Sequence, residues 1–237
     1  MEQQAVATRA VFVVGASSVG KTTLCKAIVD NLAVEPDRWI KETAREVMRT
    51  QGFSRDTTHK VEMQHAIMAA QLNAEERVLT RPRGNGPILL LSDRSAVDPI
   101  VYAATSSVDG ESKRLRLIQD PAFQATLAFY RESLFFLLQP VLEWLQDDGI
   151  RSLEDPWNYN AHLRTTLTEL GIPFVEIGEE LKDIAERVEI ASEVKHAHIE
   201  PSGRNRFAAE KLVRFIAGVA KRFGFSAPPC TISGTVP

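Results

Sequence analysis

The sequence predicts an α/β fold, a three-layer sandwich around a central parallel sheet of about five strands. Three observations carry that prediction. Short apolar runs alternate with stretches of helical spacing along most of the chain. The third run, Ile88-Leu89-Leu90-Leu91, is apolar at every position, as a strand covered on both faces is. The segment Gly15-Ala16-Ser17-Ser18-Val19-Gly20-Lys21-Thr22, of the form G-x-x-x-x-G-K-T, stands between the first apolar run and the first helical stretch.

The first strand is expected over residues 10–14 and its helix over about 21–33. A short second strand near 38–40 leads into a helix from about Thr43 to Thr50, closed by Gly52. Asp56 to Thr58 offer N-caps for a long helix reaching Leu79, with Met63, Ile67, Ala70, Ala74 and Val78 at helical spacing. The Pro- and Gly-rich stretch 81–87 ends that helix, and 88–91 form the third strand. Asp120-Pro121 and Asp155-Pro156 each put a capping aspartate before a proline, the order that starts a helix. Between them 134–138 is the fourth strand, and Phe123, Phe129, Phe135 and Phe136 supply core. Gly171 closes the second of these helices; 172–177 form the fifth strand, and a helix over about 179–191 follows. The expected organisation is a disordered N-terminus over 1–9 and one kinase-like domain over 10–196. A C-terminal helix over 197–223 would pack on that domain through Leu212, Phe215, Ile216, Val219 and Phe223, before a flexible tail over 224–237.

Composition narrows the function classes. The 237 residues are 44% hydrophobic and 25% charged, ordinary for a globular protein. A net charge of −3 gives no basic excess, so nucleic acid is not the expected partner. Met1 to Arg9 lacks the apolar core of a signal peptide. No apolar run approaches the ~20 residues of a membrane span. Cys25 and Cys230 make no disulfide framework, so a cytoplasmic setting is expected. His59, His65, His162, His196 and His198 show no metal-ligand spacing.

The chemistry begins in the glycine-rich segment. Gly15 and Gly20 allow a tight wrap that side chains would strain. The amides of Gly15, Ala16, Ser17, Ser18, Val19 and Gly20 then form an anion nest at the positive end of a helix. Lys21 can reach the terminal phosphates of a nucleotide, Thr22 can ligate Mg²⁺, and Thr23 extends the nucleotide-binding set. Asp93, separated by one residue from the apolar run 88–91, is placed to hold that Mg²⁺ from the other side.

Further residues complete a resemblance. Asp93-Arg94-Ser95-Ala96-Val97-Asp98-Pro99 ends the third strand, Glu42-Thr43-Ala44-Arg45 follows the second, and Asp147-Asp148-Gly149-Ile150-Arg151 follows the fourth. With Gln64, Gln71 and Glu75 on the long helix and the run 170–177, they resemble ribosylnicotinamide-kinase-like P-loop proteins, often labelled AAA domains, over residues 10–190. That family includes nicotinamide riboside kinases and also members with GTP-binding or lipid-linked roles. The resemblance implies a P-loop NTPase fold with a short lid, in which Arg151 closes onto the phosphates. Glu42 and Arg45, one helical turn apart, can face an acceptor together with Arg94. Asp93 and Asp98 are both candidates for the catalytic base. The expected function is ATP- and Mg²⁺-dependent phosphoryl transfer to a hydroxyl of a small, nucleoside-like metabolite. GTP stays open as the donor, and the acceptor and oligomeric state are not specified. The alternative is a nucleotide-binding switch or slow NTPase acting through a protein or lipid partner.

Overall fold

The structure, a computed structural model, describes residues 10–82, 88–145 and 155–189. They belong almost entirely to one compact unit, Thr8–Val188; the other unit, Met1–Ala7 with Glu189–Pro237, lies almost wholly beyond them. The strands are β1 Ala10–Val14, β2 Trp39–Ile40, β3 Leu90–Asp93, β4 Leu134–Leu138 and β5 Phe174–Ile177. The helices are α1 Lys21–Leu32, α2 Ala44–Gln51, α3 Val61–Leu79, α4 Val97–Ala104, α5 Gly110–Ile118, α6 Pro121–Glu132 and α7 Pro156–Glu169. The five strands form one sheet in the order β2-β3-β1-β4-β5, every pair parallel. The three-layer α/β fold expected from the sequence is the fold that forms. The chain crosses to one side of β1 and then to the other. Right-handed crossovers therefore put helices on both faces, and the carboxyl end of β1 becomes the switch point where ligands bind in such sheets.

All five residues of β1 are buried, as are Leu90 to Asp93 in β3. Phe12 stacks on Phe135 with ring centroids 4.6 Å apart, and Tyr130 meets Phe12 edge-on at 5.0 Å. Phe123, Phe135 and Phe136 are fully buried and Phe129 is half-buried, so the expected aromatic core exists.

Four local expectations need correction. The third strand is Leu90–Asp93, not 88–91, so Asp93 is its last residue rather than a loop residue beyond it. Register decides this: β3 pairs Leu90 with Ala10 and Asp93 with Val13. The long helix starts at Val61, because Arg55–Thr57 form a separate 3-10 turn with its own capping box from Ser54 to Thr57. The residues expected to cap α3 are spent on that turn. The last described helical stretch covers 184–189, with Asp183 accepting from Ala185 N and Glu186 N at its start. Finally, α4 and α5 occupy a segment for which the sequence had indicated no helix. The expected N-terminus 1–9, C-terminal helix 197–223 and tail 224–237 lie outside the described residues.

Candidate active site

The G-x-x-x-x-G-K-T segment connects β1 to α1 at the switch point. Gly15 has φ 141 and Gly20 has φ 87, both in the region that favours glycine. A Cβ on Gly15 would come within 2.7 Å of the Leu138 carbonyl oxygen, so the loop leaves β1 pressed against β4. Asn160 of α7, 1% exposed, staples this contact. It accepts from Ala16 N at 2.9 Å and donates to Leu138 O at 2.8 Å. The Ala16 amide is thereby committed to the protein.

Lys21 folds back and donates to Ala16 O. Burial is the main reason its ammonium is pushed down to about 7; Arg94 adds to this, and Asp93, Glu42 and Asp98 oppose it. A phosphate beside Lys21 would favour the charged form again.

Thr22 Oγ1 donates to Asp93 Oδ2 at 2.5 Å. The parallel register that sets Asp93 beside Val13, two residues before Gly15, brings them together. Asp93 is 1% exposed, and its Oδ1 is buried with no hydrogen-bond partner among the described residues. A buried carboxylate oxygen left unpaired is costly and calls for a ligand. A threonine hydroxyl and one carboxylate are the sparse protein donor set that Mg²⁺ takes when water and phosphate oxygens complete its octahedron. The residues present therefore fit a Mg²⁺ ion. Among the described residues, no three His, Cys, Asp or Glu side chains cluster to hold a metal.

Arg94 follows Asp93 at φ 88, unusual for a residue with a side chain. Its backbone N–H donates to Val13 O at 3.0 Å. Its Nε donates to Glu42 Oε1 at 3.0 Å, and its Nη1 donates to Asp98 Oδ1 at 2.8 Å and Gly15 O at 3.4 Å. Burial opposes its charge, but Glu42, Tyr102, Asp98 and Tyr159 together hold it firmly protonated. Asp98 is 2% exposed and also accepts from Ser95 N, Ser95 Oγ and Tyr159 OH. Its carboxylate is thus turned inward onto Arg94, Ser95 and Tyr159. Glu42 accepts from Arg45 Nε at 2.9 Å.

A cleft of about 630 Å³ joins these groups. Ser17, Ser18, Gly20, Lys21, Thr22, Thr23, Glu42, Arg45, Asp93 and Arg94 all line it. Gly15, Ala16, Val19 and Asp98 are not on its wall: Ala16 and Val19 are buried behind the loop, and Asp98 lines a smaller neighbouring pocket with Gln64 and Tyr102. Arg151, the expected lid arginine, lies outside the described residues. The far wall of the cleft comes from Glu143, Trp144, Lys182, Ile184 and Arg187, none of which the sequence reading had singled out. Asn160 was missed as well. Neither group has a spacing signal, because each reaches the loop only through the pairing of β4 with its neighbours.

Comparisons with known proteins agree with this architecture. A protein family described as "AAA domain" matches residues 10–187. Among solved structures, NadR protein in complex with NR is 24% identical with a TM-score of 0.64, covering 83% of this chain and 54% of that one. NadR protein in complex with NAD and AMP-PNP is 22% identical with a TM-score of 0.62, covering 83% and 52%. The chain spans about half the length of these NadR chains. No curated protein matches the sequence significantly.

Proposed function

The chain belongs to the AAA domain family, and from that premise we propose that it is a small-molecule kinase. It would transfer a phosphoryl group from ATP, with GTP open as donor, to a hydroxyl of a small, nucleoside-like acceptor. The observation that carries this reading is the pairing of Thr22 with Asp93, whose second oxygen lacks a partner among the described residues, on the wall of the cleft that also contains Lys21, Glu42 and Arg45. The fold it shares with NadR, crystallised with NR and with AMP-PNP, makes a nucleotide donor and a nucleoside-like acceptor a consistent pair.

The residue roles follow from their surroundings. The loop amides from Ser17 to Gly20 would hold the phosphates, with Thr23 at their far end. Lys21 would leave Ala16 O and take a phosphate oxygen. Thr22 and Asp93 would hold Mg²⁺, whose charge would offset the charge on the transferring group. Glu42, with both Arg45 and Arg94 on it, would orient the acceptor hydroxyl. Asp98 fits a positioning role, holding Arg94, better than the role of base, because its oxygens are occupied away from the cleft. Arg151 is proposed to close over the phosphates, adding charge stabilisation where it matters most in phosphoryl transfer. Residues 10–196 would form the catalytic domain.

The test is ADP release from ATP and Mg²⁺, with and without a panel of nucleosides and small alcohols. Release stimulated by an acceptor and abolished in Lys21→Ala is the expected result. In the same assay Arg151→Ala is expected to lower kcat about 100-fold with little change in nucleotide Kd. Persistent nucleotide binding with no stimulation by any acceptor would overturn the kinase in favour of a switch.

A further inference from the structure

Two consecutive residues of α7, Tyr159 and Asn160, are both buried, and both lead to the first peptide of the glycine-rich loop. Asn160 reaches it directly, its Oδ1 accepting from Ala16 N at 2.9 Å. The other end of the same side chain is held as well. Asn160 Nδ2 donates to Leu138 O at 2.8 Å and to Gln139 Oε1 at 3.3 Å, so turning the amide over would set donor against donor at Ala16. Tyr159 reaches the loop through two other side chains. Its hydroxyl donates to Asp98 Oδ1 at 3.0 Å, the same oxygen accepts from Arg94 Nη1 at 2.8 Å, and that nitrogen donates to Gly15 O at 3.4 Å.

Gly15 O and Ala16 N belong to one peptide unit. α7 therefore grips that unit from both ends, its N–H through Asn160 and its carbonyl through Tyr159, Asp98 and Arg94. The grip falls where the backbone is freest. Gly15 sits at φ 141, and without a Cβ nothing on that residue resists rotation of the peptide plane that follows it. A rotated unit would withdraw Ala16 N from Asn160 and Gly15 O from Arg94 together. The next carbonyl along the chain, Ala16 O, is the one to which Lys21 donates. The orientation of the first peptide thus sets where the lysine rests and where the following amides are aimed.

We propose that Tyr159 and Asn160 are positioning residues for phosphate binding, which clamp the Gly15–Ala16 peptide in one orientation so that the loop meets a polyphosphate already in its binding shape. The inference rests on the phosphate-loop reading of Lys21 and Thr22. A loop ordered before its ligand arrives loses less affinity to ordering on binding. The benefit falls on the polyphosphate itself, so ATP and inorganic tripolyphosphate share it.

The experiment has two readouts, both on the full chain. The first is hydrogen exchange at the Ala16 amide without nucleotide, set against the amides of β1 and β4 as a control for global opening. The wild type is expected to protect Ala16, and Asn160→Ala is expected to abolish that protection. Tyr159→Phe keeps the ring beside Tyr102, 4.9 Å between centroids, and should still lower protection at Ala16, although the hydroxyl it removes bonds Asp98. The second readout is calorimetry with the Mg²⁺ complexes of ATP and tripolyphosphate, at a temperature where urea titration shows each variant folded. Asn160→Ala is expected to weaken both ligands by one common factor of about five to ten, and Tyr159→Phe to weaken both about two- to threefold. A side chain that only holds the fold together would lower the urea midpoint and leave both affinities alone. Unchanged tripolyphosphate affinity in folded Asn160→Ala, a loss confined to ATP, or wild-type protection of Ala16 in Tyr159→Phe defeats the clamp. If Asn160→Ala does not fold, Tyr159→Phe carries both readouts by itself. Failure of the underlying reading looks different: tripolyphosphate would then bind Lys21→Ala as well as it binds the wild type, with the exchange pattern at Ala16 still as expected.

Discussion

Glu75 is a carboxyl buried near the C-terminal end of α3, 1% exposed, with Gln71 Nε2 donating to its Oε1 at 2.8 Å. The Tyr130 hydroxyl lies 3.0 Å from both of its oxygens and accepts from Ala96 N. Burial pushes this carboxyl up to about 8, and the bonds from Gln71 and Tyr130 offset only part of the effect. The folded protein therefore holds a proton that the unfolded chain, with a carboxyl near 4.5, releases. Between those two values the folded state binds more protons, so this group makes stability fall as pH rises from about 4.5 to about 8, and it adds no further slope above that. Glu75→Gln keeps the shape and removes the titration. The variant is expected to match the wild type near pH 4.5 and exceed it near pH 8, measured as urea midpoints across that range. A parallel pH dependence in the two proteins would refute the assignment. Gln71 also accepts from Thr43 and donates to Ser92, so this network ties α3 to β3 and to the entrance of α2. The sequence reading placed Gln71 and Glu75 on α3 but could not see what they touch, since Tyr130 is 55 positions away.

Elements were legible where their signals are local. Asp120 accepts from Ala122 N at 2.9 Å and Phe123 N at 3.2 Å, with Pro121 as the first residue of α6. Asp155 does the same for Trp157 N and Asn158 N at the start of α7. Cap and proline are adjacent in sequence, so both starts could be read directly. Replacing either aspartate with alanine frees two amides, and each change is expected to cost about 1 kcal/mol in chemical denaturation. Asp120→Ala should cost more than Asp155→Ala, because Asp120 also binds His65 Nε2 at 2.9 Å. An equal or smaller loss at Asp120 would show that the His65 contact contributes nothing. α4 and α5 escaped for opposite reasons. In α4, six of the eight residues are buried, so no polar face marks a helical period. In α5 only Leu117 is buried, so no apolar stripe does. The start of α3 was misread because Ser54 and Thr57 form a genuine capping box, one that serves a 3-10 turn instead.

At the scale of the whole molecule, the phosphate loop and Asp93 could be read from the chain because a motif and a strand end announce them. The strand order that joins them could not, because register is set by non-local pairing. Arg94 shows what that pairing builds. It links the segment after β2 through Glu42, the loop after β1 through Gly15 O, and α4 through Asp98, while Tyr159 of α7 donates to the same Asp98. Four parts of the fold thus converge on one cation held at a positive φ that isolated arginine disfavours, a conformation that persists only when its surroundings over-determine it. Removing the cation leaves Asp98, 2% exposed, with hydrogen bonds from Ser95 and Tyr159 but without this ion pair. Breaking a buried pair from one side typically costs about 3–5 kcal/mol. Arg45 also pairs with Glu42, but its side chain is 49% exposed against 6% for Arg94. Removing such an exposed partner costs under about 1 kcal/mol. Arg94→Met is therefore expected to lower the unfolding free energy by several kcal/mol and Arg45→Ala hardly at all, in urea titrations at pH 7. Arg94→Met with Asp98→Asn should recover part of the loss, since the asparagine leaves no charge to strand. If Arg94→Met is no more costly than Arg45→Ala, the convergence on Arg94 does not hold the carboxyl ends of the strands together, and Glu42 would have to be positioned by Arg45.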